Sequence, residues 1–255
     1  MTSTFDLNAA SFEQHRALPG GISEAIRRTV WECTGLAPGA RVLDLGAGSG
    51  RFGRSFVEAD DPYVGVDYSL PMLREFRARS SAACLIQADG GRLPFPDGSF
   101  QLVMLMQVLS GTHNWRNLLG ETVRVTARGG SIVVGHTLSP PTGIDARMKA
   151  QLALILEEMG VASYTSGKSR EKSLEWLAAA SSRKLQTTAS SWTAKRTARE
   201  FLERHRGGAR FSSLPSPVQT RALKKLSLWA ETTCGSLDEV SSETHSFELY
   251  IFGMR

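Results

Sequence analysis

The stretch VLDLGAGSGRFG, residues 42–53, sets Gly46, Gly48, Gly50 and Gly53 directly behind an apolar run. Glycines between a strand and a helix let a ligand approach the backbone, and the free N–H groups at the helix start attract an anion. Two registers fit: Gly46-x-Gly48-x-Gly50, and Gly48-x-Gly50-x-x-Gly53, the spacing of dinucleotide-binding loops. The glycines alone therefore do not choose between a ligand with phosphates and one without. Asp44, two residues before Gly46, separates the readings. Its carboxylate would repel a pyrophosphate and attract a cationic group such as an amino acid's ammonium. Its plain alternative is an aspartate that stabilises the turn through local N–H groups.

A loop of this kind needs a strand before it and a helix after it. The pattern predicts helices over 9–18 and 21–34, a buried strand at Arg41–Leu45, and a helix through about Val57. YVGVDYS reads as a second strand, Ser69-Leu-Pro71 as the start of a helix with proline in its first turn, and ACLIQADG as a third strand. A fourth strand over Gln101–Val108, a helix over 114–127, a stop at ARGG and a fifth strand in SIVVGHT follow. Strands alternating with helices of this size predict a doubly wound α/β sheet covered on both faces. After Pro140-Pro141 the rhythm changes to helices near 143–160, 171–182, 196–206 and 216–234, with a strand at 184–192 and a last one in HSFELYIFG.

The 255 residues are 41% hydrophobic and 22% charged, ordinary for a globular chain with a sizeable core. No run approaches the ~18 apolar residues of a membrane span, and the first residues lack the layout of a signal peptide, so a cytoplasmic protein is expected. Cys33, Cys84 and Cys234 are odd in number and far apart, which speaks against a disulfide framework or a metal site. The net charge of +5 is uneven: residues 1–137 balance at 13 basic and 13 acidic, while 168–225 hold 14 basic against 4 acidic. That segment would attract an acidic substrate, nucleic acid or an anionic surface, or it forms solvated helix faces, the reading preferred because no nucleic-acid module is recognisable.

VLDLGAGSGRFG resembles motif I of the class I S-adenosylmethionine-dependent methyltransferases. Asp67 in VGVDYS, 19 residues after Gly48, matches the acidic residue that ends the family's second strand, and QADGGRLPFPDGSF matches its third-strand motif. The run from RLPFPDGSF to RVTARGGSIVVG is similar to the subgroup of ubiquinone and menaquinone biosynthesis methyltransferases, with Gln101 in place of the usual aspartate and TARGG in place of LRPGG. The resemblance covers about 96 residues, 42–137. It implies one domain with a seven-stranded Rossmann-like sheet, mostly parallel with an antiparallel last strand. Helices in 1–36 would lie over the cofactor site, 37–137 would form the cofactor-binding core, and 138–182 and 196–236 a helical lid before the last strand, 243–253.

The cofactor so implied is S-adenosyl-L-methionine. Its ammonium would sit near Gly46, Ala47, Gly48, Gly50 and Asp44, and its carboxylate near backbone N–H groups or Arg16, which matches the family's leading helix. Its ribose would lie on Asp67, and its adenine between Asp89, Gly90 and apolar neighbours such as Tyr68 and Leu93, with Gln107 lining the pocket. A sulfonium methyl is already activated, so alignment does most of the work, and a base is needed only where the acceptor carries a proton to be lost. His113 and His136, near the carboxyl ends of the fourth and fifth strands, are the candidates; their alternative is a histidine that bonds the backbone. His15, next to Arg16, is a further acceptor-side candidate, and Tyr164, Trp192 and His205 are candidates for a lid.

A small-molecule acceptor is the expected partner, an acidic one among the options, for a monomer or homodimer. Methylation of RNA or protein, a nicotinamide-dependent oxidoreductase and a non-catalytic module that keeps the fold stay open.

Overall fold

The computed structural model describes residues 18–37, 39–109, 112, 114–161, 167–206 and 209–255. Helix α1 (Ile22–Thr34) buries Ile22, Ile26 and Val30 at four-residue spacing and stops at Gly35, whose φ of 64° only glycine adopts freely. Next come β1 (Val42–Leu45), α2 (Arg54–Glu58), β2 (Tyr63–Asp67), α3 (Leu70–Arg79), β3 (Cys84–Gln87) and β4 (Phe100–Met106). The start of α3 is set by Ser69, whose side chain accepts the Met72 N–H, and by proline in the first turn. Then follow α4 (Trp115–Val125), β5 (Thr126–Leu138), α5 (Ile144–Glu158), α6 (Gly167–Ala180), β6 (Arg183–Arg196), α7 (Ala198–Arg206), α8 (Ala209–Ser212), α9 (Ser216–Cys234) and β7 (Ser241–Gly253).

The seven strands lie in the order β3-β2-β1-β4-β5-β7-β6. The pairs from β3 to β5 are parallel, and β7 runs antiparallel to both β5 and β6. This is the expected sheet, with the last strand inserted before β6. Because β1 and β4 are neighbours while β2 and β3 lie beyond β1, the winding reverses between them. Open α/β sheets bind ligands at the carboxyl ends of the strands at such a reversal.

Burial on both faces explains why β1 and β4 are almost wholly apolar. Ile26, Val30, Phe56 and Phe76 pack on one face with Val42, Met104, Val133 and Phe247. Leu118, Leu119 and Leu177 pack on the other with Leu43, Leu105, Ile132 and Phe252. A separate cluster joins Met148, Leu152 and Ile155 of α5 to Phe201 of α7, Phe211 of α8 and Leu226 of α9. Each such side chain contributes roughly 1.5–3 kcal/mol on burial. The apolar stripe of α5 is therefore committed to holding the helical cap together.

Three local expectations change. ARGG, expected as a stop, lies inside β5, where Gly129 (φ 74°) and a register shift between Phe100 and Leu102 absorb the bend. Strand β6 runs on to Arg196 rather than ending at 192, because β7 pairs along it as far as Ser241. Helix α6, expected in the lid, lies against the sheet through Leu174 and Leu177. The helix expected over 9–18 lies outside the described residues.

Candidate active site

At the end of β1 the chain turns through Gly46, Gly48 and Gly50, all with positive φ (84°, 55° and 83°). The Gly46 and Ala47 N–H groups both donate to Val66 O (2.8 and 3.0 Å), which ties the turn to β2. What surrounds each glycine differs. A Cβ on Gly46 would stand 2.5 Å from Val108 Cγ2, and one on Gly50 would enter the Phe76 ring of α3. At Gly48 its nearest neighbour would be Met72 Cε at 3.4 Å. Two of the three glycines thus serve close packing, and the Gly48 side leaves room for a ligand.

Asp67, at the end of β2, closes the loop from the side. Its Oδ2 accepts the Gly48 N–H (2.8 Å) and its Oδ1 the Ser69 N–H (2.8 Å). A carboxylate oxygen has two acceptor positions, so these bonds leave capacity for hydroxyls of a ligand. The next residue, Tyr68, is 52% exposed, an aromatic ring held at the rim.

Asp44 lies beneath the turn and is 2% exposed. The Tyr63 hydroxyl donates to its Oδ2 (2.8 Å), while Oδ1 is buried with no hydrogen-bond partner. Burial pushes the Asp44 carboxyl up to about 7, the Tyr63 bond opposes that rise, and nearby Asp67 adds to it. A buried acceptor without a donor invites a cationic or N–H-bearing group close by. A carboxylate buried beneath the loop disfavours a diphosphate there.

The remaining expected residues spread along the same edge. Asp89 is exposed after β3, and its Oδ1 accepts the Gly91 N–H (2.8 Å), a local turn; Gly90 is required by Leu118, whose Cδ1 would lie 2.5 Å from a Cβ there. Gln107 ends β4 in the left-handed region (φ 62°), a conformation that costs a non-glycine residue of order 1–3 kcal/mol. Its N–H donates to Gly135 O (2.7 Å), its Nε2 to Thr137 Oγ1 (2.6 Å), and its Oε1 accepts from Arg51 (2.5 Å). The strain is thus offset by three bonds that aim the amide beside the loop.

His136 alternates with Thr137 on β5 and so faces the other side, stacked on Tyr250 (5.5 Å between centroids, 14°). It is 7% exposed, and Nδ1 is buried without a partner. Burial, with Arg170 adding to it and Glu248 opposing, holds its pKa down to about 4, so the ring is neutral at pH 7. Arg16 and His113 lie outside the described residues, as do His15 and Tyr164.

Sequence reasoning did not single out Arg51, Tyr63 or Thr137, which orient Gln107 and Asp44, nor Glu243 and His245. These last two are 2% and 3% exposed on β7. A signal existed: in ETHSFELYI the alternation that buries Phe247, Leu249 and Ile251 runs back through His245 and Glu243 on the same face. Polar residues that prolong an apolar stripe are buried and need a reason.

Residues 43–134 match the family model described as a methyltransferase domain. The demethylmenaquinone methyltransferase of Renibacterium salmoninarum is 36% identical over 117 residues, 46% of this chain and 49% of that protein. The one from Thermus thermophilus is 36% identical over 109 residues, 40% of this chain and 50% of that protein. The chain thus spans about half the length of these relatives. Among solved structures, YcgJ of Bacillus subtilis superposes with a TM-score of 0.58 at 17% identity, covering 91% of this chain and 98% of that one. An N-methyltransferase of Haemonchus contortus in complex with phosphomonomethylethanolamine and S-adenosylhomocysteine gives 0.52 at 14%, covering 98% and 57%. These two show a shared fold.

Proposed function

We propose that this chain, whose residues 43–134 match the family model described as a methyltransferase domain, binds S-adenosyl-L-methionine and moves its methyl group to a small-molecule acceptor. The observation that carries the reading is the pair of carboxylates at the glycine turn: Asp44 buried beneath it with an unpartnered oxygen, and Asp67 bonded to the Gly48 N–H. Asp44 suits a ligand's ammonium and opposes a diphosphate, whereas Asp67 suits a ribose and would serve a dinucleotide's ribose equally. Bound S-adenosylmethionine would supply an electrophilic methyl on a sulfonium.

The protein's own part is binding and alignment. Gly48 lets the ligand approach the backbone, Asp67 accepts ribose hydroxyls, and Asp44 receives positive charge from below. Tyr68 and Asp89 flank the adenine, with Gly90 fixing the loop that carries Asp89, and Gln107 lines the methionine end from its strained position. The ligand's carboxylate would meet backbone N–H groups or Arg16, which lies outside the described residues. Holding reactants aligned supplies roughly 7–11 kcal/mol of a barrier, enough that no further catalytic group is needed for an acceptor without a proton to lose. No helix among the described residues is long and apolar enough to cross a membrane, and Cys33, Cys84 and Cys234 are free thiols, which supports a place in a reducing cytoplasm.

Calorimetry with S-adenosylhomocysteine and with NADH tests this reading. Binding of the first and not the second is expected, and the reverse overturns it. Asp67→Ala should weaken S-adenosylhomocysteine by roughly 1–3 kcal/mol through lost charge-assisted bonds. An unchanged affinity would remove Asp67 from the site.

A further inference from the structure

Beyond the cofactor loop, one row of side chains on the β6–β7 hairpin stands at the same edge of the sheet. Trp192, Ala194 and Arg196 pair with His245, Glu243 and Ser241, so the six share one face. Phe247, the next side chain on that face, pairs with Thr137, whose hydroxyl receives the Gln107 amide. His245 therefore lies one diagonal step, about 7–8 Å, from Thr137, on the Gln107 side of the sheet.

Three polar atoms in this row are sealed from solvent with no hydrogen-bond partner: His245 Nε2, Glu243 Oε2 and Arg196 Nε. Their positions are fixed by their neighbours. Glu243 Oε1 accepts the Ile144 N–H at the start of α5, which turns Oε2 toward His245, 3.7 Å from Nε2 and past hydrogen-bond reach. The His245 ring stacks on Trp192 (5.8 Å, 20°). Arg196 Nε pairs with Asp145 Oδ2 at 3.6 Å, past hydrogen-bond reach, and Asp145 is also held by both terminal nitrogens of Arg204. Each of the three atoms has an ion-pair neighbour at 3.6–3.7 Å and no hydrogen bond, which leaves hydrogen-bonding capacity for a polar atom from outside the chain.

We propose that this row receives the methyl acceptor, that the acceptor presents a weakly acidic hydroxyl of the phenol or enol type, and that His245 Nε2 takes its proton. The proposal rests on the methyltransferase reading and deepens it. As the acceptor oxygen bonds to the methyl carbon, the carbon–sulfur bond breaks with its electron pair going to sulfur. The hydroxyl proton passes to Nε2, and Glu243 holds the imidazolium until solvent takes the proton. Arg196 Nε–H donates to the acceptor oxygen, a contact that an ammonium, having no lone pair, cannot use. The groups facing His245 are Glu243 on its own strand, Arg196 on β6, Asp145 on α5 and Arg204 on α7. Burial and the two arginines hold its pKa below the usual histidine value against the two carboxylates, so the ring is free to accept a proton at pH 7.

The test uses the whole chain saturated with S-adenosylhomocysteine and two matched probes, 1-naphthol and 1-methoxynaphthalene, followed by calorimetry and by the histidine ring signals in NMR. Naphthol is expected to bind about tenfold tighter than its methyl ether and to shift the His245 signal. His245→Gln and Glu243→Gln should each bring that preference below about twofold while S-adenosylhomocysteine affinity stays within about twofold. His245→Gln leaves Glu243 on Ile144, so it decides the matter even where Glu243→Gln loosens α5. If wild-type protein does not bind S-adenosylhomocysteine, the cofactor reading itself fails. If it does, the acceptor proposal alone fails on any of three results: neither probe binds, both bind equally, or His245→Gln keeps the preference.

Discussion

At the scale of single residues, the most consequential side chain is Asp44. Its carboxyl stands near 7 because burial penalises the charge, far above the ~3.9 of an unfolded chain. The native state therefore holds a proton that the unfolded state releases, and the stability this gives is lost as pH rises through about 7. Asp44→Asn should consequently gain thermal stability relative to wild type at pH 8 and show a flatter dependence of melting temperature on pH between 5 and 8. A cationic ligand needs the charged form, so S-adenosylmethionine affinity should rise about tenfold from pH 6 to pH 8 in wild type and lose that slope in Asp44→Asn. Calorimetry across pH measures it, and a flat wild-type profile would detach Asp44 from the ligand. His136 poses the opposite case, a neutral ring packed on Tyr250. A part in proton transfer predicts that His136→Asn lowers kcat by about 10²–10⁴ with cofactor affinity unchanged. Packing alone predicts a lower melting temperature at unchanged kcat.

Between elements, the glycine turn shows how one motif serves two demands. Gly50 lets α3 press Phe76 onto the loop, whereas a Cβ on Gly48 would meet only ordinary contacts, Met72 Cε at 3.4 Å and Gly46 O at 4.0 Å. Gly50→Ala should cost several kcal/mol of stability, since both its φ and the Phe76 ring oppose a Cβ, and chemical denaturation would read this. Gly48→Ala should cost only about 1 kcal/mol of stability, from its left-handed φ, while weakening S-adenosylhomocysteine much more. Equal effects on folding and binding at both positions would refute this division. The same logic makes Gln107 informative: a residue strained at the end of β4 and held by Arg51, Thr137 and Gly135 is positioned by three elements at once.

Over the whole molecule, charge distribution changes meaning once the chain is folded. The excess of basic residues in 168–225 suggested an electrostatic footprint, yet several of those residues face carboxylates from outside that segment. Arg196 and Arg204 meet Asp145, Arg199 meets Asp238, and Lys225 meets Glu158. The exposed pairs, Arg199–Asp238 and Lys225–Glu158, are worth little energetically, but all four reduce the local field. An RNA pool should accordingly bind weakly at low salt, and filter binding across a salt series should give a shallow slope. Tight binding that collapses with salt would return a nucleic-acid acceptor to consideration.

The sequence by itself determined the alternation of strands and helices, the doubly wound sheet and the glycine loop with Asp44 and Asp67 beside it. These rest on local periodicity and on short motifs whose residues are near in the chain, so spacing alone exposes them. Only tertiary structure decided which glycines are closely packed, that Asp44 is buried against Tyr63, that Thr137 rather than His136 faces Gln107, and that His245 and Glu243 lie buried without a hydrogen bond between them, beside Arg196. Those relations join positions 19 residues apart for Asp44 and Tyr63, 30 for Gln107 and Thr137, and about 50 for Arg196 and His245, brought together by strand insertion and helix packing. No local pattern carries information about that pairing, because it is the buried surface of the assembled sheet and cap that selects it.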